Sequence, residues 1–231
     1  PLRALTVTAP GVLDANVPLQ LDALEQISLH AGGQVTVGSQ WLGSTRCLNQ
    51  SLLNGAVTFD GAGTAGAPQL LEVMSQDLGT NWAGFVRNFA FGTLTLANNT
   101  YVRLLDQSDN APGAEAEALY VNTLNVPAGT TLDLNGLKLY VRTLQLAGTL
   151  VGGSATPVRD GGTIQWGNAT IGSIAIAGEM DEWTFFGRAG RRITVVVEPG
   201  GGFPPALGFV EVSVRGPNGI VVATERNASL G

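Results

Sequence analysis

Hydrolytic and metal chemistry rests on histidine, cysteine and clustered carboxylates, and this chain holds one histidine, His30, and one cysteine, Cys47. A serine, histidine and acid set would have to use His30, but Leu29-His30-Ala31-Gly32 carries no nucleophile-elbow pattern. His30 therefore reads as a turn or strand-end residue. Cys47 has neither a second cysteine for a bridge nor the further ligands that tetrahedral zinc needs, and it reads as a small buried apolar residue. Gly61-Ala62-Gly63-Thr64-Ala65-Gly66 satisfies the spacing of the dinucleotide fingerprint and follows a strand-like run. That fingerprint works only where a crossover helix presents its N-terminus to the phosphates, and no helical period follows, so the segment reads as a glycine turn.

Carboxylates are more numerous. The polar stretch Asp106 to Ala118 holds Asp106, Asp109, Glu115 and Glu117. Calcium takes six to eight oxygens at loose geometry, which makes Asp106 and Asp109 the calcium candidates of a loop that otherwise reads as a solvated insertion. Cleavage of a polysaccharide needs two or three acids converging at roughly 5 to 9 Å. On a coiled chain such acids would sit on adjacent rungs, one repeat interval apart. One interval from Asp133 stand Gly153 on one side and Pro112 or Gly113 on the other, none of them acidic. Asp60, Asp77 and Asp106 remain candidate acids without a pattern and read first as turn formers. No catalytic residue and no cofactor is assigned. Of the four tryptophans, Trp183 reads as core, while Trp41, Trp82 and Trp166 are candidates to stack on sugar rings.

The elements that would position these groups are strands. Leu119-Tyr120-Val121-Asn122-Thr123-Leu124 recurs as Leu139-Tyr140-Val141-Arg142-Thr143-Leu144, and Tyr101-Val102-Arg103-Leu104-Leu105 is a looser copy nearly the same interval upstream. Between them run Gly92-Thr93-Leu94-Thr95-Leu96, Gly129-Thr130-Thr131-Leu132-Asp133-Leu134 and Gly148-Thr149-Leu150-Val151. A period of about 20 residues suits a solenoid whose rungs bury their inward side chains only by stacking, and without a leucine-rich-repeat pattern it predicts a parallel β-helix. Tyr101, Tyr120 and Tyr140 are then expected in one column, facing outward, or inward if the register slips by one residue. Strand candidates at 34–37, 56–60, 69–73 and 84–90 read as earlier, irregular coils.

Composition agrees with an all-β chain: 32 glycines, 44% hydrophobic residues and only 13% charged ones in 231 residues. With a net charge of -6, one lysine and eleven arginines scattered along it, the chain shows no basic face for nucleic acid. No apolar run is long enough for a membrane-spanning helix, and no signal peptide opens the chain. It begins at Pro1 and is expected to be a processed product or an excerpt. Glycine pairs at 152–153 and 161–162 mark a hinge, beyond which longer alternating runs such as Phe209 to Arg215 and the Pro217-Asn218-Gly219 turn predict an antiparallel β-sandwich. The expected organisation is a cap, linker or remnant of a preceding domain at 1–23, a β-solenoid at 24–162 and a β-sandwich at 163–231.

Residues 171 to 224 resemble the bacterial pre-peptidase C-terminal domain. Gly178-Glu179-Met180-Asp181-Glu182-Trp183-Thr184-Phe185, Ala189-Gly190-Arg191-Arg192-Ile193-Thr194-Val195 and the strand ending in Gly216-Pro217-Asn218-Gly219 carry the likeness. The family's closing strands are missing after Gly231, so the sandwich would be incomplete. The resemblance implies a small secreted module without activity of its own, with Trp183, Phe185, Val195, Val197, Val212 and Val214 in its core. Residues 24–160, most clearly Glu117 to Gly153, also resemble solenoid segments of large bacterial surface proteins. The expected function is therefore a non-catalytic structural or adhesive segment of a secreted or cell-surface bacterial protein. Its partners would be other copies of itself or neighbouring domains, with Leu5 and Val7 of a donated strand joining copies into filaments. The alternatives are a carbohydrate-binding or polysaccharide-cleaving β-helix, and a secretion or pro-segment module of a larger enzyme.

Overall fold

The structure is a computed structural model describing residues 4–22, 26–44, 52–85, 88–113, 115–158, 161–170, 172, 181–197, 211–217 and 220–226. Every regular element in them is a β-strand except one turn of 3-10 helix, Trp82–Phe85. Two compact units emerge, residues 1–163 with 170–183 and residues 164–169 with 184–231. Cys47 lies outside the described residues, as does the side chain of Trp82.

The first unit is a parallel stack. Its first rung is β1 (Ala4–Val7), β2 (Val12–Ala15) and β3 (Leu19–Gln20), and its second is β4 (Gln26–Leu29), β5 (Gln34–Val37) and β6 (Trp41–Leu42). The following rungs are β7 (Leu52–Phe59) with β8 (Gln69–Glu72), β9 (Phe91–Leu96) with β10 (Tyr101–Leu105), β11 (Ala118–Val126) with β12 (Thr131–Asp133), and β13 (Lys138–Leu146) with β14 (Thr149–Val151). β15 (Ala155–Pro157) begins a further rung. One sheet runs β2-β5-β7-β9-β11-β13-β15 and a second β3-β6-β8-β10-β12-β14, both parallel throughout, with β1 and β4 forming a third, short parallel pair. Residues 4–20, within the segment expected as a cap, a linker or part of a preceding domain, supply the first rung of the stack, because Leu13 and Ala15 pair with Val35 and Val37.

Stacking in register turns each inward position into an apolar column. Leu13, Val35, Val57, Leu94, Leu124 and Leu144 follow one another strand by strand, and Val37, Phe59 and Leu96 make a parallel file. Their neighbours in the second sheet, including Leu71, Val102, Leu104 and Leu132, close the same core from the other side. The period itself is uneven: Val12 meets Gln34 and Gln34 meets Ala56, but Ala56 meets Thr93, Thr93 meets Thr123 and Thr123 meets Thr143. A rung must match its neighbour only where strands pair, so surplus residues leave as loops.

Buried polar side chains fasten the corners where the chain turns. Gln69 donates through Nε2 to the carbonyls of Val37 and Ser39, each at 2.9 Å, and its Oε1 accepts the Thr100 hydroxyl at 2.6 Å. Three rungs are thereby tied through one amide, as its burial requires. The same corner accounts for two glycines of the run: a Cβ on Gly61 would lie 2.1 Å from the Gly38 carbonyl oxygen, and one on Gly63 2.4 Å from that of Tyr101. These glycines allow backbones to touch.

Beyond β15, β16 (Gly161–Thr163) and β17 (Glu182–Thr184) form a two-stranded sheet, and the half-buried Trp183 ring packs against Gly162 and Gly172 in the first unit. In the second unit β18 (Glu211–Arg215) and β19 (Val221–Arg226) make an antiparallel hairpin. Val195 and Val197, expected in a sandwich core, are exposed, and Val212 and Val214 are half-buried. Without a facing sheet among the described residues nothing covers them.

Trp41 is fully buried, its ring 5.5 Å from that of Phe91. Replacing it by alanine is expected to destabilise the stack by about 3 to 5 kcal/mol, read as a fall in the chemical-denaturation midpoint, whereas Trp166→Ala should leave that midpoint unchanged.

Candidate functional site

The richest concentration of polar chemistry lies where the loop after β10 returns to β11. Glu72, at the end of β8, points one carboxylate oxygen at the amides of Gln107 and Ser108, both 2.7 Å away. Glu117 does the same for the amide of Ala111 at 2.6 Å and for that of Asn110. Asp106 completes the loop, its Oδ2 accepting the Glu117 amide at 3.1 Å, and Asn110 reaches across to the Gly43 carbonyl at 3.1 Å. Segment 106–118, expected as a solvated insertion, is exposed at Asp106, Gln107, Asp109, Pro112, Gly113, Glu115 and Ala116 but is pinned to the stack at Asn110, Ala111 and Glu117, which are buried. A run of backbone amides with no strand partner needs acceptors, and the two glutamates supply them.

The electrostatics of this latch are unfavourable to charge. Glu117 is only 5% exposed, its second oxygen has no hydrogen-bond partner among the described residues, and Asp106 and Glu72 add negative potential. Burial outweighs the two amides and pushes its carboxyl up to about 7. Glu72 is raised for the same leading reason, against the pull of the Ser108 and Gln107 amides. Asp106, a calcium candidate, is thus already engaged by an amide, and Asp109 is exposed. Among the described residues no three histidine, cysteine or acidic side chains gather to hold a metal ion.

Two of the three tyrosines meet. Tyr120 and Tyr140 are in register on β11 and β13 with rings stacked 4.7 Å apart. They face away from the main core into a second cluster with Phe85, Ala90, Ala118 and Val158. The 3-10 turn covers them closely enough that a Cβ on Gly84 would fall 2.1 Å from the Tyr120 ring. The Tyr120 hydroxyl accepts the Leu78 amide at 2.9 Å and donates to the Gly79 carbonyl at 2.8 Å, while that of Tyr140 donates to Asp77 at 2.9 Å. Burial raises both phenols, that of Tyr140 to about 12, so neither ionises near neutrality.

Tyr101 does not join them. It lies on β10 in the other sheet opposite Thr131, because Asn98 and Asn99, both at positive φ, turn the chain out of β9 first. Its hydroxyl and Arg103 Nε both donate to Asp133 Oδ2, at 2.9 and 2.8 Å. Burial raises the Asp133 carboxyl, but Arg103, the Asn135 amide and Tyr101 together hold it below the usual carboxylate range. Leu5 and Val7 are likewise committed: β1 pairs with β4, and both side chains pack on the core. His30 is an exposed strand-end residue whose amide donates to the Val7 carbonyl. Glu72, Asp77, Asp106, Glu117 and Asp133 thus each serve a local bond to backbone, tyrosine or arginine.

No family model, curated protein or solved structure matches the chain. Its function has to be argued from this geometry.

A carboxyl whose folded value exceeds its unfolded one binds more protons when folded, so stability is greatest in acid and is lost as pH rises from about 4.5 to about 7. Stability is expected to drop on the order of 2 kcal/mol across that window, and Glu117→Gln, which keeps an acceptor for the amides, should flatten the profile. Thermal melts of both proteins between pH 4.5 and 8 measure it.

Proposed function

We propose that this chain is a non-catalytic structural and adhesive segment of a secreted or cell-surface bacterial protein, its solenoid serving as a rigid spacer. The observation that carries this is the continuous parallel ladder from β2 to β15, with apolar columns inside and the buried acids Glu72, Glu117 and Asp133 bound to backbone amides. Such a stack resists bending because every rung is hydrogen-bonded to the next along its strands. In the same proposal the C-terminal unit is an appended sandwich of the pre-peptidase C-terminal kind, for which the β18–β19 hairpin is the supporting piece.

Assembly belongs to the proposal in altered form. Donation of Leu5 to Thr8 would tear out the first rung, since β1 is already paired. The ends of the stack offer another route. Leu144 and Leu146 continue the inward columns but are exposed, for β15 covers only Leu139 to Val141 of β13. At the other end Leu13 begins the same column, and no described strand pairs with the outward edge of β2. Two copies stacked end to end would extend both the ladder and the columns, a heterologous contact that propagates.

Two measurements test the proposal. Incubation with a panel of polysaccharides should release no reducing ends, and reproducible release would overturn the non-catalytic assignment. Light scattering should show mass rising with concentration for the native chain and a constant monomer for Leu144→Lys/Leu146→Lys. A native chain that stays monomeric at millimolar concentration would end the assembly proposal.

A further inference from the structure

The arginines that look scattered along the sequence are not evenly placed in the fold. Arg188, Arg191 and Arg192 sit on one exposed turn of the second unit, closed by the Arg191 amide donating to the Arg188 carbonyl at 3.2 Å. With Trp166, Phe186 and Ile193 they line an open concavity of about 380 Å³. None of the three guanidinium groups has an ion pair or hydrogen bond among the described residues, and no carboxylate lines the concavity.

The aromatic wall is exposed, and its indole is tethered. Trp166 is 57% and Phe186 72% exposed, an unusual use of large apolar surface. The Trp166 indole N–H donates to the Phe186 carbonyl at 2.9 Å, and its ring meets that of Phe185 edge-on at 5.7 Å. An indole held in this way offers its surface without losing rotamer freedom on binding.

We propose that this concavity binds an acidic polysaccharide, a chain of sugar rings bearing carboxylate or sulfate groups. Guanidinium forks match such groups bidentately, and the C–H face of a pyranose suits an exposed indole. Three cations fall short of the six to ten phosphate contacts that duplex binding typically uses, in a chain of net charge -6, so nucleic acid is the poorer fit. With no carboxylate in the lining, the concavity holds a glycan without cleaving it. This gives the adhesive function its ligand class and rests on that proposal, although the geometry involves the second unit alone.

The test is affinity electrophoresis and titration calorimetry of the full chain against polygalacturonate and heparin, with dextran as the neutral glycan and single-stranded DNA as a non-sugar polyanion. Binding is expected to at least one acidic glycan, to weaken with salt, and to fall about tenfold both in Trp166→Ala and in Arg191→Gln/Arg192→Gln, with melting points unchanged. Should Trp166→Ala shift the melt, the double arginine variant decides alone. Failure to bind either acidic glycan overturns the inference, as does binding that survives the arginine variant. Equal affinity for dextran would remove the role of charge and also overturn it. DNA bound as tightly, with Trp166→Ala without effect, would show a generic polyanion patch and reject the glycan. None of these results bears on sugar release or end-to-end association, so the adhesive proposal stands or falls separately.

Discussion

A rung of this solenoid cannot bury its own inward side chains; only the rungs above and below can. Parallel pairing fixes their separation at about 4.8 Å, and from that one distance the rest follows. Leu13 to Leu144 form a column because strands spaced so closely leave no room for anything but the next apolar side chain. Polar groups at the corners face the same restriction and must find partners on another rung. Gln69 does so between Ser39 and Thr100, Asn98 reaches the Asp60 carbonyl at 2.8 Å, and Asp22 accepts both the amide and the hydroxyl of Ser44 at 2.9 Å.

The part of this that could be seen in the sequence is the part the ladder dictates. Leu119 to Leu124 and Leu139 to Leu144 repeat at the length of a single rung because no loop intervenes between them, and they do lie side by side. Tyr101 misled for a physical reason. Tyr-Val-Arg-Leu-Leu and Tyr-Val-Asn-Thr-Leu open in the same way, with Val102 and Val121 both turned to the core, because strands of either sheet face the same core. Alternation says that a residue faces outward; it does not say from which sheet. The left-handed asparagines at 98 and 99 were the available clue, since they mark a corner that glycine marks elsewhere.

The roles of the acids and tryptophans depend on what the folded chain sets beside them, which residue type and spacing do not show. Glu72 and Glu117 lie on different rungs, far apart in the chain, and nothing in their neighbours' types foretells that both close one loop. Trp41 and Trp166 are of one residue type, yet the first fills the core beside Phe91 and the second stands in solvent beside arginines. Burial of an aromatic can be read from strand periodicity in the solenoid. Trp166 lies in a turn outside any strand, so no strand period bears on it.

Insertions on a stack of this kind are tolerated only where they leave the ladder undisturbed, which makes the loops the natural place for chemistry to vary. The 106–117 segment shows what such a loop requires. Its amides lie against the stack, out of reach of both ladders, so acceptors had to come from side chains able to take two donors each. Carboxylates meet that need, and their placement in a water-poor pocket then raises their proton affinity as a consequence of closing the loop. A near-neutral carboxyl in a solenoid is therefore not by itself a sign of catalysis. The Glu117 oxygen that has no hydrogen-bond partner among the described residues is itself buried. The same loop with its glutamates turned outward would be a different protein, reached without altering a single column of the core.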